Sequence, residues 1–287
     1  MEIKAFFDKN TNTLTYVVFD VSTHEAIILD PVLDYDPSSA KVTKDSIHQV
    51  IQFIREGGLK PIYVMETHAH ADHLSGAQAL KKFFPGIQVV IGEKIIEVQK
   101  TFKNVFNLGN DFRPDGSQFD QLLKIGETYK VGNFSFKILP TPGHTPACSS
   151  YLFNNKVVFT GDALFMPDYG TGRCDFPSGS AEDLYHSIMG QLYTLPDETI
   201  VLVGHDYLPN NRELRYESTI GEEKKHNIRI KKDTPKEEFV KFRKERDATL
   251  STPKLLYPSV QVNILAGRFP PPESNEVSYL KIPVHMG

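Results

Sequence analysis

Two cysteines, Cys148 and Cys174, are all that 287 residues contain. A lone pair in a chain of this length is no disulfide framework, and a reducing cytosol is the expected setting. Long apolar runs are also missing. The opening MEIKAFFDKNTNTLTYVVFD carries charge at Glu2, Lys4, Asp8 and Lys9, so neither a secretory core nor a membrane span is expected. Positive charge is short as well. The 32 Lys and Arg face 36 Asp and Glu, for a net charge of −4 and a pI of about 6.2. Nucleic-acid binders draw most of their affinity from a basic footprint, so no nucleic-acid partner is expected. At 40% hydrophobic and 24% charged residues, the composition is that of one large globular domain, or one domain with an appendage.

What the chain does contain is an alternation of strand and helix signals. Residues 15–19 and 26–29 are β-rich and end at Asp30-Pro31. Ile47, Val50, Ile51 and Ile54 recur at helical spacing until Gly57-Gly58. Residues 61–65 form a short apolar strand. Leu74, Ala77, Leu80 and Phe84 then trace the apolar face of a following helix. Residues 88–91 read as a strand, residues 95–102 as a helix, and the polar stretch 107–121 as a loop over a site. Residues 134–139 alternate as a strand, and Asn154-Asn155-Lys156 separates two strands as a hairpin. Ser180 and Asp183 open a helix reaching Leu192, and residues 199–203 form another buried strand. Sheets covered by helices make an α/β sandwich the natural architecture.

Beyond Gly221 the composition shifts, with ten Lys and Arg against seven Asp and Glu over residues 222–247. Thr234-Pro235-Lys236-Glu237 reads as a helix start with proline at the first helical position. This helix is expected to be solvated, with Phe239 and Phe242 packed down. The alternative is a basic rim for an acidic small molecule. Pro270-Pro271-Pro272 marks an extended tail.

The chemistry is concentrated in THAHADH, residues 67–73. Five of the ten histidines fall in three short segments: His68, His70 and His73, then His144, then His205. Asp72 and Asp162 join them. His24, His48, His186, His226 and His285 have ordinary readings as satisfied polar residues. For the cluster that reading fails, because so many ionisable groups buried without a cation would each need a partner. A metal site follows. The ligand-type residues also sit just past strand ends, where loops converge on a rigid frame.

THAHADH, then TPGHT, FTGDALF and VGHDY, resemble the metallo-β-lactamase superfamily in order and spacing. The resemblance implies an αββα sandwich over residues 1–220; the composition beyond it leaves residues 221–287 as a C-terminal helix and tail expected to pack on that domain. It also implies a metal site at one edge of the sheets. In the superfamily's two-metal hydrolases one ion takes the positions of His68, His70 and His144. The other takes those of Asp72, His73 and His205, with Asp162 bridging. Gly172-Arg173-Cys174-Asp175-Phe176 and His205-Asp206-Tyr207 resemble the GR-x-DF and HDY segments of the persulfide dioxygenases rather than those of glyoxalase II. DGSQFD and DFPSGSAEDLYHSI resemble a bacterial, β-lactamase-hydrolase-like branch of that family.

Two chemistries then compete. Two metals about 3.5–4 Å apart would activate a hydroxide against a thioester. One iron on two histidines and a carboxylate leaves three faces open for sulfur and oxygen, whereas zinc is redox-inert. The dioxygenase resemblance implies oxidation of glutathione persulfide, or a related thiol persulfide, with O2 to sulfite and thiol at one Fe(II) per chain. It makes His68, His144 and Asp162 the iron ligands. His70, Asp72, His73 and His205 become groups that orient ligands and water. Arg173 would hold the loop through a neighbouring carboxylate, Tyr207 would offer its hydroxyl to substrate, and Arg229 would meet a glutathione carboxylate. The family's Asn-Pro-Arg segment reads Asn227-Ile228-Arg229 here, a departure that bears on this last contact. Cys174 is expected to be a passive thiol rather than a sulfur acceptor. The alternative is a glyoxalase II-like thioester hydrolase with two Zn, Fe or Mn ions. A homodimer is the analogy the family offers.

Overall fold

Val, Ile, Phe and Tyr fill the strand segments because most of these strands are buried on both faces. In the computed structural model, which describes residues 1–284, they build two six-stranded sheets. The first contains β1 (Glu2–Asp8), β2 (Thr13–Phe19), β3 (Glu25–Leu29), β4 (Lys60–Glu66), β5 (Gln88–Gly92) and β6 (Gln121–Leu123), paired in that order. β1 to β3 run antiparallel, and β3 to β6 run parallel. The second contains β7 (Thr128–Val131), β8 (Phe134–Pro140), β9 (Ser149–Phe153), β10 (Val157–Phe159), β11 (Ile200–Leu202) and β12 (Glu217–Thr219). Only β10 and β11 are parallel there.

Seven α-helices accompany the sheets among the described residues: α1 (Asp45–Glu56), α2 (Ala77–Phe83), α3 (Ile95–Val105), α4 (Ala181–Ser187), α5 (Ile220–His226), α6 (Lys236–Asp247) and α7 (Leu256–Asn263). Ile47 and Ile54 of α1, Leu80 of α2, Phe102 of α3 and Val260 of α7 share one core with Val17, Ile28, Val64 and Val89. The opposite face of the first sheet, through Leu14, Tyr16, Val18 and Met65, meets Phe136, Tyr151 and Phe159 of the second. α4 and α6 pack beside the second sheet, with Tyr185 and Phe239 5.9 Å apart. The αββα arrangement is the one expected. None of the helices is long and apolar enough to cross a membrane.

The hairpin between β9 and β10 forms as expected. Asn154 and Asn155 take φ of 48° and 54°, the left-handed pair that a type I′ turn demands. Elsewhere the structure departs from the sequence reading. Leu74 does not belong to α2; Leu74–Ser75 instead pairs with Val32–Leu33, and the helix starts only at Ala77. Ser180 caps α4 through Asp183 N, but its last turn widens into a π-helical segment, Ile188–Leu192. Pro235 precedes α6 as its N-cap, with extended backbone, rather than opening it. Residues 107–121 do not roof the site. They fold against the C-terminal segment through Arg268 to Gln118 and Lys281 to Asn107. Three helices, not one, follow residue 219, and His285 lies outside the described residues.

Candidate metal centre

Each ligand-type residue follows the carboxyl end of a strand. Residues 67–75 leave β4, His144 follows β8, Asp162 follows β10 and His205 follows β11. The two sheets are tied together beneath them by tyrosines. Tyr151 Oη donates to the Glu66 carbonyl at 2.8 Å, and Tyr16 Oη donates to the Val203 carbonyl at 2.7 Å. Gly161, with φ of 50°, allows the turn into Asp162; a Cβ there would strike the Thr67 side chain at 2.7 Å.

His68, His144 and Asp162 bring one donor atom each within 4.8 Å of one another. His144 Nε2 lies 3.5 Å and His68 Nε2 4.0 Å from Asp162 Oδ2, while His205 Nε2 lies 3.3 Å from Oδ1. The far nitrogen of each ring faces a neutral oxygen. His144 Nδ1 donates to the Arg173 carbonyl at 2.7 Å. His205 Nδ1 lies 3.2 Å from the Asn12 carbonyl. His68 Nδ1 lies 3.0 Å from Thr67 Oγ1, whose own proton goes to Asp30 Oδ2 at 2.9 Å. A proton fixed on Nδ1 leaves Nε2 as a lone pair turned toward Asp162.

His70 is held differently. Its Nε2 sits 2.9 Å from Asp30 Oδ1 and 3.4 Å from Glu66 Oε2, leaving Nδ1 unpartnered. Burial works against charge on His70, but Asp30 and Glu66 outweigh it and raise its pKa well above the ordinary value. His68 moves the opposite way, because burial, reinforced by His70, disfavours its cation. Asp72 accepts on Oδ2 from Thr13 Oγ1 at 3.2 Å and His73 Nδ1 at 3.0 Å, with His205 Nε2 at 3.6 Å. Burial opposes ionisation of Asp162, yet His205, His144 and His68 hold its carboxyl below the usual range. Burial likewise opposes charge on His205, and Asp162 with Asp72 raises it to about 9.

Four buried atoms of the sequence-predicted ligand residues have no hydrogen-bond partner among the described residues, His68 Nε2, His70 Nδ1, His73 Nε2 and Asp162 Oδ1, and neither has Glu66 Oε2 beneath them. An unsatisfied buried polar atom costs about 1–3 kcal/mol, so four together mark a place built for an electrophile. Imidazole and carboxylate donors suit zinc, iron or manganese, and the residues present fit a metal.

A cavity of about 400 Å³ opens over Asp72, His144 and Asp162. Its far wall carries Arg173, Arg229, Arg243 and Arg246. Arg173 pairs through both ends of its fork with Asp175 and donates to the Ser251 carbonyl at 2.9 Å. Arg243 pairs with Asp247. Arg229 and Arg246 have no carboxylate partner among the described residues. Burial and the neighbouring Arg243 and Arg246 depress Arg229, whose guanidinium lies 4.2 Å over the Phe242 ring. Arg229 reaches the cavity without the family's proline. The Asn227 side chain instead accepts from the amides of Arg229 and Ile230 at 2.9 and 3.1 Å, and donates to the Gly170 carbonyl. Tyr207 lines the cavity with its ring stacked on Tyr169 at 4.7 Å and on His205 at 5.5 Å. Cys148 and Cys174 are both buried; burial pushes the Cys148 thiol up to about 12 and raises Cys174 as well. Neither is a thiolate near neutral pH.

Asp30, Glu66 and Asn263 escaped the sequence reading. Asp30 was visible only as the end of a strand before proline. Its φ of 46° turns the carboxylate under the histidine loop. Glu66 adjoins THAHADH but looks like an ordinary strand residue. Asn263 carries no local signal at all.

The metallo-β-lactamase superfamily profile matches residues 9–205. A Dictyostelium discoideum protein named glyoxylase B2 is 46% identical over 284 residues, covering 99% of this chain and 97% of its own length. The mouse mitochondrial persulfide dioxygenase ETHE1 is 32% identical over 271 residues, 94% of this chain and 90% of that protein. The crystal structure of ETHE1 from Myxococcus xanthus superposes with a TM-score of 0.74 at 33% identity, covering 93% of this chain and all of that one. The sandwich, the strand-end ligands and these likenesses agree: the chain belongs to the metallo-β-lactamase superfamily.

Proposed function

We propose that the protein is a persulfide dioxygenase, converting a thiol persulfide R–S–S⁻, O2 and water into R–SH, sulfite and a proton. Likeness to the mouse persulfide dioxygenase and the Myxococcus ETHE1 structure supports this reading. The observation that carries it is the unequal state of the two carboxylates. Asp162 turns Oδ2 between His68 Nε2 at 4.0 Å and His144 Nε2 at 3.5 Å, and its buried Oδ1, beside His205, has no hydrogen-bond partner among the described residues, whereas Asp72 Oδ2 already accepts from Thr13 and His73. His68, His144 and Asp162 would hold a single iron. When bound there, iron supplies redox exchange between sulfur and oxygen, which zinc cannot.

The chain's own residues do the rest. The Arg173 carbonyl and Thr67 hydroxyl fix the tautomers of His144 and His68. Arg229 and Arg246 attract an anionic thiol carrier such as glutathione persulfide, and their field favours the ionised persulfide. Tyr207 forms part of the wall beside His205, and its hydroxyl has no intramolecular partner among the described residues. Asp72 orients ligands and water from the cavity floor, and His70, His73 and His205 do so from beneath it.

A second reading rests on two observations. His70 Nδ1 and His73 Nε2 are also unpartnered, and the Dictyostelium relative bears a glyoxylase name. With a second metal on Asp72, His73 and His205, the site would hydrolyse thioesters. Oxygen uptake with glutathione persulfide, thioester cleavage and metal content measured on one anaerobic preparation separate the two. The proposal expects oxygen uptake with about one iron per chain. Thioester cleavage with two metals per chain and no oxygen uptake would replace it.

A further inference from the structure

A single segment from the C-terminal part grips both loops that carry the metal cluster. From α6, Arg243 Nη1 donates to the Thr171 carbonyl at 3.2 Å, and Asp247 Oδ2 accepts from the Cys174 amide at 2.8 Å. Ser251, between α6 and α7, accepts from Arg173. These contacts bracket the Arg173 carbonyl that orients His144. At the last residue of α7 the grip moves to the other loop. Asn263 Nδ2 donates to the carbonyls of His70 at 2.8 Å and His73 at 2.9 Å, and its Oδ1 accepts from the Ser75 amide at 2.8 Å. Its side chain thus has both donors and its acceptor in use, and it is 5% exposed.

Residues 70–75 need such a partner. The His70-Ala71-Asp72-His73 turn brings three ligand-type side chains together with no helix or ladder to satisfy its backbone, and the turn is buried. Unpaired carbonyls there would be costly. No side chain within the loop can bond the His70 carbonyl, the His73 carbonyl and the Ser75 amide together. An amide arriving from 188 to 193 residues away does so. Asn263 also lies outside residues 9–205, the span of the superfamily profile.

We propose that Asn263 is a positioning residue for the metal cluster, setting the turn that presents His70, Asp72 and His73, so that α7 and the histidine loop order as one unit when metal binds. The inference rests on metal binding at the cluster and on neither of the two chemistries above. Asn263→Asp keeps the shape and the acceptor for Ser75 but turns a second oxygen on two carbonyls. Asn263→Ser keeps one short polar group. Gln99→Ala is the control. It removes a buried amide that donates to the Ile264 carbonyl at 2.9 Å, loosening the same segment without touching the histidine loop.

Fe(II) under anaerobic conditions and Zn(II) are titrated into metal-free protein, and metal retained after gel filtration is measured by elemental analysis. Both Asn263 variants should bind at least about 10-fold more weakly, the usual effect of removing a group that orients metal ligands. Their metal-dependent rise in melting temperature should shrink, while Gln99→Ala keeps both at the parental level. Parental metal affinity in Asn263→Asp or Asn263→Ser, whatever the melting temperature, overturns the proposal. If neither variant folds, hydrogen exchange on the wild-type protein decides. Metal removal should deprotect residues 70–75 and 256–263 together, and unchanged protection of 256–263 overturns the proposal. Wild-type protein that retains neither metal would instead remove the metal reading itself.

Discussion

The floor and the far wall of the cavity both bury charged and polar groups, yet they treat them in opposite ways. On the wall Arg243 pairs with Asp247, and behind it Glu223 accepts from Ser218 and Asn227 while Asn227 uses both ends of its amide. On the floor, imidazole nitrogens and a carboxylate oxygen of the histidine cluster are left without partners. Burial alone therefore does not separate scaffold from site; the gathering of several unpartnered atoms in one place does. A floor where unpartnered lone pairs gather is prepared for a cation, and paired groups on and behind the wall hold its shape. Two guanidiniums on that wall, Arg229 and Arg246, lack a carboxylate and meet the cavity instead.

The largest effect that could break this contrast lies on the floor. His68→Ala or Asp162→Ala should abolish metal retention and oxygen uptake together, read by elemental analysis and an oxygen electrode. A variant consuming oxygen at the parental rate would remove the distinction. Next comes the pair beneath the floor. Asp30→Asn strips the carboxylate from His70 and Thr67. Breaking a buried ion pair on one side typically destabilises by about 3–5 kcal/mol, so urea unfolding of the metal-free protein should shift by that order, with weaker metal binding beside it.

The scaffold behind the wall should answer to pH rather than to metal. Burial raises Glu223 from an ordinary 4.5 to about 8. A carboxyl raised on folding contributes stability that is complete below its unfolded pKa and lost as pH climbs through the folded one. Metal-free wild type should therefore lose up to ~5 kcal/mol between those limits. Glu223→Gln should flatten that window, as denaturant titrations across pH would reveal. An equal slope in both proteins would mean that Glu223 is not the group titrating in that window. The smallest effect belongs to the free guanidiniums. Arg229→Ala should raise KM for glutathione persulfide about 5-fold with kcat nearly unchanged, the size of a solvent-accessible ionic contact. A fall in kcat at constant KM would move Arg229 from binding into the reaction.

Much of the frame was legible because its signals are local. β-rich and apolar runs marked β2 and β4, alternation marked β8, helical spacing marked α1 and α3, and the Asn-Asn turn marked the β9–β10 hairpin. The histidine cluster was legible for a similar reason, since a strand end followed by THAHADH states both the ligand-type residues and their place. The misreadings share a cause too. Leu74 carries helical spacing but is captured by pairing with Leu33, and residues 107–121 look like a lid but dock on the C-terminal segment. Each outcome depends on a partner distant in sequence, which periodicity cannot register.

By itself, then, the sequence determined the ligand types, their order along the chain and the sandwich that carries them, because spacing and hydrophobic period act over a few residues. Tertiary structure alone decided which nitrogen of each histidine is free. It brought Asp30 beneath the histidine loop from 37 positions away, and Asn263 to the same loop from across the chain. Satisfying a buried polar atom is a matter of distance and direction in space, and no local pattern of residues encodes where such a partner will arrive.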